Sequence, residues 1–99
     1  MMTVITHVTI ESGKEAAWDA AFRERAEVAR KQPGWVAVQL CVSSQTANKR
    51  TVIGTWENRA AWEAWHATDV FRRTRSQMEG VQIAERETWW HEVVLETHR

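Results

Sequence analysis

The run Pro33-Gly34-Trp35-Val36-Ala37-Val38-Gln39-Leu40-Cys41-Val42 decides the fold, because the apolar period of the chain changes across it. Upstream, Ala17, Trp18, Ala21, Phe22, Val28 and Ala29 recur at three-to-four spacing, with Arg23, Glu24, Glu27 and Arg30 opposite. That is the stripe of an amphipathic helix. Pro33 cannot continue a helix interior and Gly34 frees the backbone to turn, so the helix stops there. Val36, Val38, Leu40 and Val42 then alternate, the two-residue period of a strand over 35–44. After the polar stretch Gln45-Thr46-Ala47-Asn48-Lys49-Arg50 comes a second β-prone run, 51–56, and the two strands read as a hairpin.

Working outward, residues 3–10 also alternate, with Val4, Val8 and Ile10 on one face and Ile5, His7 and Thr9 on the other. Ser12-Gly13-Lys14-Glu15 has the form of a capping box, which predicts that the Ser12 hydroxyl accepts from the Glu15 amide while the Glu15 carboxylate reaches back. Beyond the hairpin, Glu57 or Asn58 can cap a helix carrying Ala61, Trp62, Ala64 and Trp65, and Thr68-Asp69 predicts a break and a new cap. Val70, Phe71, Thr74 and Met78 give the next helix a buried stripe, Arg72, Arg73 and Arg75 fill much of the rest, and Gly80 is a stop signal. The segment 81–97 reads as the last strand. Its seventeen residues exceed the usual strand, predicting a bulge or a tail that leaves the sheet.

The order is β-α-β-β-α-β, an α+β ferredoxin-like split βαβ with a four-stranded antiparallel sheet. Helices cover one face of such a sheet and nothing in the chain covers the other. A homodimer through the sheet faces and the C-terminal strand is the economical solution, with Trp89 and Trp90 on opposite faces and His7 and His91 on the uncovered one; a monomer is the weaker alternative.

Ninety-nine residues make one domain, 1–99, and 43% apolar content with only four Gly and one Pro excludes a disordered chain. Thirteen Lys and Arg balance thirteen Asp and Glu, so no positive field gathers phosphates, which argues against nucleic acid. No run of eighteen apolar residues or basic-then-apolar leader occurs, and the lone Cys41 suits a reducing compartment, so the expectation is a cytoplasmic protein with no membrane association. Seven Trp with no Tyr and two Phe concentrate flat apolar area in a small domain, as core, interface or pocket wall.

Three segments carry a resemblance: Gln32-Pro-Gly-Trp-Val-Ala-Val-Gln39, Gly54-Thr-Trp-Glu-Asn-Arg-Ala-Ala-Trp-Glu-Ala-Trp65, and Thr68-Asp-Val-Phe-Arg72. Their pattern, together with the element order, resembles the antibiotic biosynthesis monooxygenase family of dimeric α+β barrels. The resemblance implies that fold, a dimer, and one of several activities: cofactor-independent quinone-forming oxygenation, haem degradation, or none yet assigned. At Trp56, Trp65 and Asp69-Val70-Phe71 the chain is similar to the haem-degrading branch. It departs from that branch where the axial histidine belongs, since Arg75 stands there and a guanidinium has no lone pair for iron. The branch's polar Asn on strand one falls at Thr6.

The candidate site residues follow. Trp56, Trp62 and Trp65 can bring their indoles together, as simple packing or as the wall of a pocket for a flat ligand. His66 lies about 100° around the helix from Trp65, at the margin of the apolar stripe. Arg75, one turn after Phe71, is expected near a pocket rim, where it can hold a carboxylate, phenolate or haem propionate. Thr6 shares the helix-facing side of strand one with Val4 and Val8. Trp65 and Arg75 are the catalytic candidates; Thr6, Trp56, Trp62, Trp65, His66, Phe71 and Arg75 are the substrate-binding ones. Glu57, Glu63 and Glu79 read as solvated. No Ser-His-Asp set, phosphate loop or metal-ligand spacing is present in the sequence. Three readings stay open: a monooxygenase that oxidises a flat phenolic or quinol substrate with dioxygen and uses no dedicated metal or flavin site, a haem protein with atypical ligation, and a non-catalytic dimeric ligand-binding protein.

Overall fold

The structure is a computed structural model that describes residues 1–83 and 87–99. The chain runs β1 (Met2–Thr9), α1 (Glu15–Ala29), β2 (Trp35–Val42), β3 (Lys49–Trp56), α2 (Arg59–His66), α3 (Asp69–Glu79) and β4 (Glu87–Glu92). The strands lie in the order β2-β3-β1-β4 and every neighbouring pair is antiparallel, which is the ferredoxin-like α+β arrangement.

Register explains which side chains meet the helices. Val4 sits between Gly54 and Trp90, and Thr6 between Val52 and Thr88, so even-numbered positions of β1, β3 and β4 share the helix-covered face. Against this face α1 packs Trp18, Phe22 and Ala29, and α3 packs Phe71, Thr74 and Met78. The buried apolar residues form two clusters. One holds Val8, Ile10, Trp18, Phe22 and Met78, the other Ala29, Trp56, Trp65 and Phe71. Each such large side chain contributes about 1.5–3 kcal/mol when removed from water. A polar clamp fixes α1 to the β2–β3 connection: buried Arg50 donates from Nε and Nη2 to the two Asp19 carboxylate oxygens at 2.9 and 3.1 Å, and from Nη1 to the Ala47 carbonyl. The Asp19 hydrogen bond raises the Arg50 pKa against the opposing effect of burial.

Several local expectations are corrected. Helix α1 is capped at Lys14 with no side-chain bond, so the Ser12 half of the capping box does not form. The Glu15 carboxylate instead accepts from the amide of Gly13, a residue with positive φ, at 3.0 and 3.1 Å. The expected strand over 81–97 contracts to β4 plus one bridge, Ile10 to Gln82; its 84–86 part lies outside the described residues. Pairing with β1 ends where Met2 meets Glu92 and the Val93 amide reaches the Met1 carbonyl, and residues 93–99 continue as a tail. The break inside the second helical unit is as expected: Asn58 Oδ1 accepts from the Ala61 amide, and Thr68 Oγ1 accepts from the Phe71 amide. Gly80 ends α3 with right-handed φ, so it stops the helix without adopting a left-handed turn.

The other sheet face carries Ile5, Ile53 and Trp89 in register, with Trp89 58% exposed, and His7 bonded across to Thr51. Among the described residues no helix is long and apolar enough to cross a membrane.

Candidate functional site

Between the sheet and the helices lies a cavity of about 370 Å³ whose walls include members of both core clusters. That is at the small end of ligand pockets, room for one compact molecule. Val4, Thr6, Val52, Gly54 and Trp56 form its sheet side. The structure brings Thr6, Trp56, Trp62, Trp65, His66, Phe71 and Arg75 to the wall of this one cavity.

A continuous run of flat groups borders it. The Arg25 guanidinium carbon lies 4.3 Å from the Phe71 centroid, Phe71 is 3.9 Å from His66, His66 is 3.5 Å from Trp62, and Trp62 meets Trp90 edge-on at 4.1 Å. Arg59 closes the run over Trp90 at 4.5 Å, and Trp65 meets Phe71 edge-on at 5.6 Å. Edge-on and tilted pairs suit the ring quadrupoles, and cations over ring faces add to them. His66 is half-buried, so the margin of the apolar stripe that the helical angle predicts for it is also a place in the cavity wall. The break after α2 turns Phe71 back over the imidazole, and His66 Nδ1 lies 2.8 Å from the Trp62 carbonyl. A carbonyl only accepts, so Nδ1 carries the proton in that bond.

The cations differ in setting. Arg75 lies half-exposed at the wall with Nε 2.7 Å from Glu79 Oε1, so Glu79 is a partner and not a freely solvated carboxylate; Glu63 likewise binds Arg59. Arg25, which the sequence reading passed over, donates from Nε to Thr74 Oγ1 at 3.0 Å and lies across Phe71. Thr74 is fully buried, its hydroxyl donating to the Val70 and Phe71 carbonyls, so it holds the guanidinium against α3. A signal for Arg25 was available: 18, 22, 25 and 29 fall on one helical stripe, and a charge within an apolar stripe marks a residue facing something other than solvent. Among the described residues lining the cavity, the charged side chains are Arg25 and Arg75 and there is no carboxylate. Both carry positive charge to the wall, Arg75 as the partner of Glu79. Gly54, Trp90 and Trp18, also in the wall, went unassigned, because only the register and helix packing place them there.

The indole N–H groups are not equivalent. Trp18 donates to Gln82 Oε1 at 3.2 Å. Trp56 and Trp65, only 5% and 4% exposed, have no acceptor among the described residues. Among the described residues no buried side-chain nitrogen or oxygen is sealed without a partner, so both N–H groups keep open surface, and the cavity is the space they border. No three His, Cys, Asp or Glu side chains gather in metal-binding geometry among the described residues.

A search of curated protein sequences finds no match to this chain. Solved structures do match. A candidate antibiotic biosynthesis monooxygenase from Nitrosomonas europaea superposes with a TM-score of 0.91 at 16% identity, covering 96% of this chain and 100% of that one. SnoaB, a cofactor-independent oxygenase from Streptomyces nogalater, superposes at 0.82 with 20% identity over 97% of each chain. Rv0793 from Mycobacterium tuberculosis superposes at 0.88 with 13% identity over 98% of each. At such identities these likenesses establish the fold. The sequence model of one family, antibiotic biosynthesis monooxygenase, matches residues 1–77, and the chain belongs to that family.

Proposed function

We propose that the protein is a monooxygenase that binds one flat phenolic or quinol molecule in the cavity and oxidises it with dioxygen, the substrate supplying the electrons. The observation that carries this reading is one cavity walled by Trp56, Trp62, Trp65, Phe71 and Trp90, with the guanidinium groups of Arg25 and Arg75 in the same wall. Family membership supports a monooxygenase-type activity, and the likeness to a cofactor-independent oxygenase supports chemistry without a metal or flavin.

For an anthrone the balance closes: the ring methylene loses two hydrogens and gains one oxygen atom as a ketone, while the second oxygen leaves as water. The anion gives one electron to dioxygen, the radical pair joins as a hydroperoxide, and loss of water leaves the quinone. The protein has three tasks in this reaction. It favours the anion through Arg25, Arg75 and the Trp65 N–H, stacks the rings, and keeps water from the intermediate. Trp65 and Arg75 are its candidate catalytic residues.

Haem fits this site poorly. The position that resembles the haem-degrading branch's axial histidine is Arg75, whose guanidinium has no lone pair and is bound to Glu79. A haemin titration that gives no sharpened Soret band is the expected result.

The protein is further proposed to act as a cytoplasmic homodimer of the single domain 1–99. The uncovered Ile5–Ile53–Trp89 row, with Val94 and Leu95 of the tail 92% and 82% exposed, supports this. Light scattering should give twice the 11.5 kDa chain mass. The activity is tested by oxygen uptake with anthrones, quinols and catechols. Stoichiometric uptake with one class supports the reading; uptake with none, beside measurable binding, makes the protein a ligand-binding one.

A further inference from the structure

Gly54 has no conformational reason to be glycine. It lies in mid-strand, paired with Val4 on one side and Val38 on the other, and its φ is not in the left-handed region. Glycine weakens a strand interior, and a common reason for one is the close approach of another group. Steric crowding by the protein does not supply that reason: a Cβ at Gly54 meets one atom within 4 Å, Trp56 Nε1, at an ordinary 3.9 Å. What the missing side chain leaves is space bordering that N–H.

The N–H itself is the second observation. Trp56 is more than nine-tenths buried, its Nε1 has no acceptor among the described residues, and the nitrogen is not sealed. Trp18 shows the alternative this fold uses for an indole, a protein acceptor in Gln82, whereas the Trp56 N–H opens on the cavity. Gly54 and Trp56 are two residues apart on β3, so they share the helix-facing side and line the same cavity.

We propose that Gly54 and Trp56 form a subsite for an acceptor oxygen of an aromatic ligand, a phenol or keto oxygen that takes the Trp56 N–H while the rings stack farther into the cavity. This deepens the proposed function and rests on its claim that the cavity binds flat aromatic molecules. The subsite sets orientation. With one ring oxygen pinned at β3, the opposite edge of the ring system is the part presented toward the Trp65 and Phe71 side.

The test uses 1-naphthol and naphthalene, which share the ring system and differ by one oxygen. In two-dimensional nitrogen–proton spectra, the Trp56 indole resonance is identified by its loss in Trp56→Phe. 1-Naphthol should move it downfield and naphthalene should not. Gly54→Ala should weaken 1-naphthol binding about five-fold, the size of one neutral hydrogen bond, and change naphthalene binding less than two-fold. Should Gly54→Ala not fold, the comparison of the two ligands on the unaltered protein decides alone. If both ligands bind and shift Trp56 alike, or if Gly54→Ala weakens both equally, the subsite is refuted and the aromatic cavity stands. If neither ligand binds, the cavity reading and the subsite are refuted together.

Discussion

Gly34→Ala is expected to destabilise the fold by an amount that separates backbone strain from steric overlap. Gly34 has φ +83°, and a Cβ there stands 2.5 Å from the Ala61 Cβ on α2, where carbon contacts normally lie at about 3.5–4.0 Å. Gly13 is the control: φ is +91°, yet a Cβ meets nothing within 4 Å. A left-handed conformation costs an L-residue about 1–2 kcal/mol, and the stiffer unfolded chain returns about 0.4–1, so Gly13→Ala should lose about 0.5–1.5 kcal/mol. Gly34→Ala adds overpacking of about 1–3 kcal/mol, giving about 2–4 in all. With a urea m-value near 1.5 kcal/mol/M, a 3 kcal/mol loss lowers the midpoint by about 2 M, with m unchanged. Both variants should be unfolded at one protein concentration, since self-association shifts midpoints. Ala61→Gly alone costs about 1 kcal/mol of helix propensity, but in the Gly34→Ala background it removes the clash, so the double-mutant cycle should show favourable coupling of at least about 1 kcal/mol. Equal midpoints for Gly13→Ala and Gly34→Ala, or a cycle with no coupling, would refute the claim that Gly34 is there to let α2 approach β2. The contact matters to the site because the Gly34 carbonyl accepts from the Glu57 amide at 2.7 Å, fixing Trp35 and Trp56 together at one end of the cavity.

Three further outcomes are expected. Asp19→Ala should cost about 3 kcal/mol in urea unfolding, because it strands the buried Arg50 guanidinium, and adding Arg50→Met should recover most of the loss. Trp65→Phe should keep the fold by circular dichroism and weaken 1-naphthol by about 0.5–1.5 kcal/mol in calorimetry, through lost stacking area and the indole N–H. Arg25→Gln should weaken 2-naphthoate more than 1-naphthol by about 1.5–3 kcal/mol, while Arg75→Ala, half-exposed and paired with Glu79, should show the same preference at under about 1 kcal/mol.

The fold was legible because each element declares its period locally. The alternation at Val36 to Val42, the stops at Pro33-Gly34, and the caps at Asn58 and Thr68 need no knowledge of their neighbours, and these elements stand in the structure, with a register shift between Trp35 and Ala37 and Val42 exposed at the strand's end. Readings that failed depended on a competitor elsewhere. The Glu15 carboxylate does reach back, but to the Gly13 amide, and Lys14 rather than Ser12 holds the cap position. The final strand shortened because strand length is set by the partner, and β1 begins at Met2, with the Val93 amide reaching the Met1 carbonyl just beyond.

The site was legible in proportion to how far each residue's placement follows from its own element. The Trp62, Trp65 and Phe71 positions lie on helix stripes, and Thr6 on a strand face, so parity and spacing carry them to the cavity wall. Arg25 and Gly54 are there for reasons that propensity reads as faults: a charge on an apolar stripe and a glycine inside a strand. Once both line one cavity, the faults become coherent. The guanidinium brings positive charge to a wall without a carboxylate among its described residues, and the glycine leaves room beside the Trp56 N–H. Packing accounts for the first, since Arg25 bonds Thr74 and lies across Phe71, whereas no contact among the described residues accounts for Gly54, which makes the glycine the sharper pointer to a ligand.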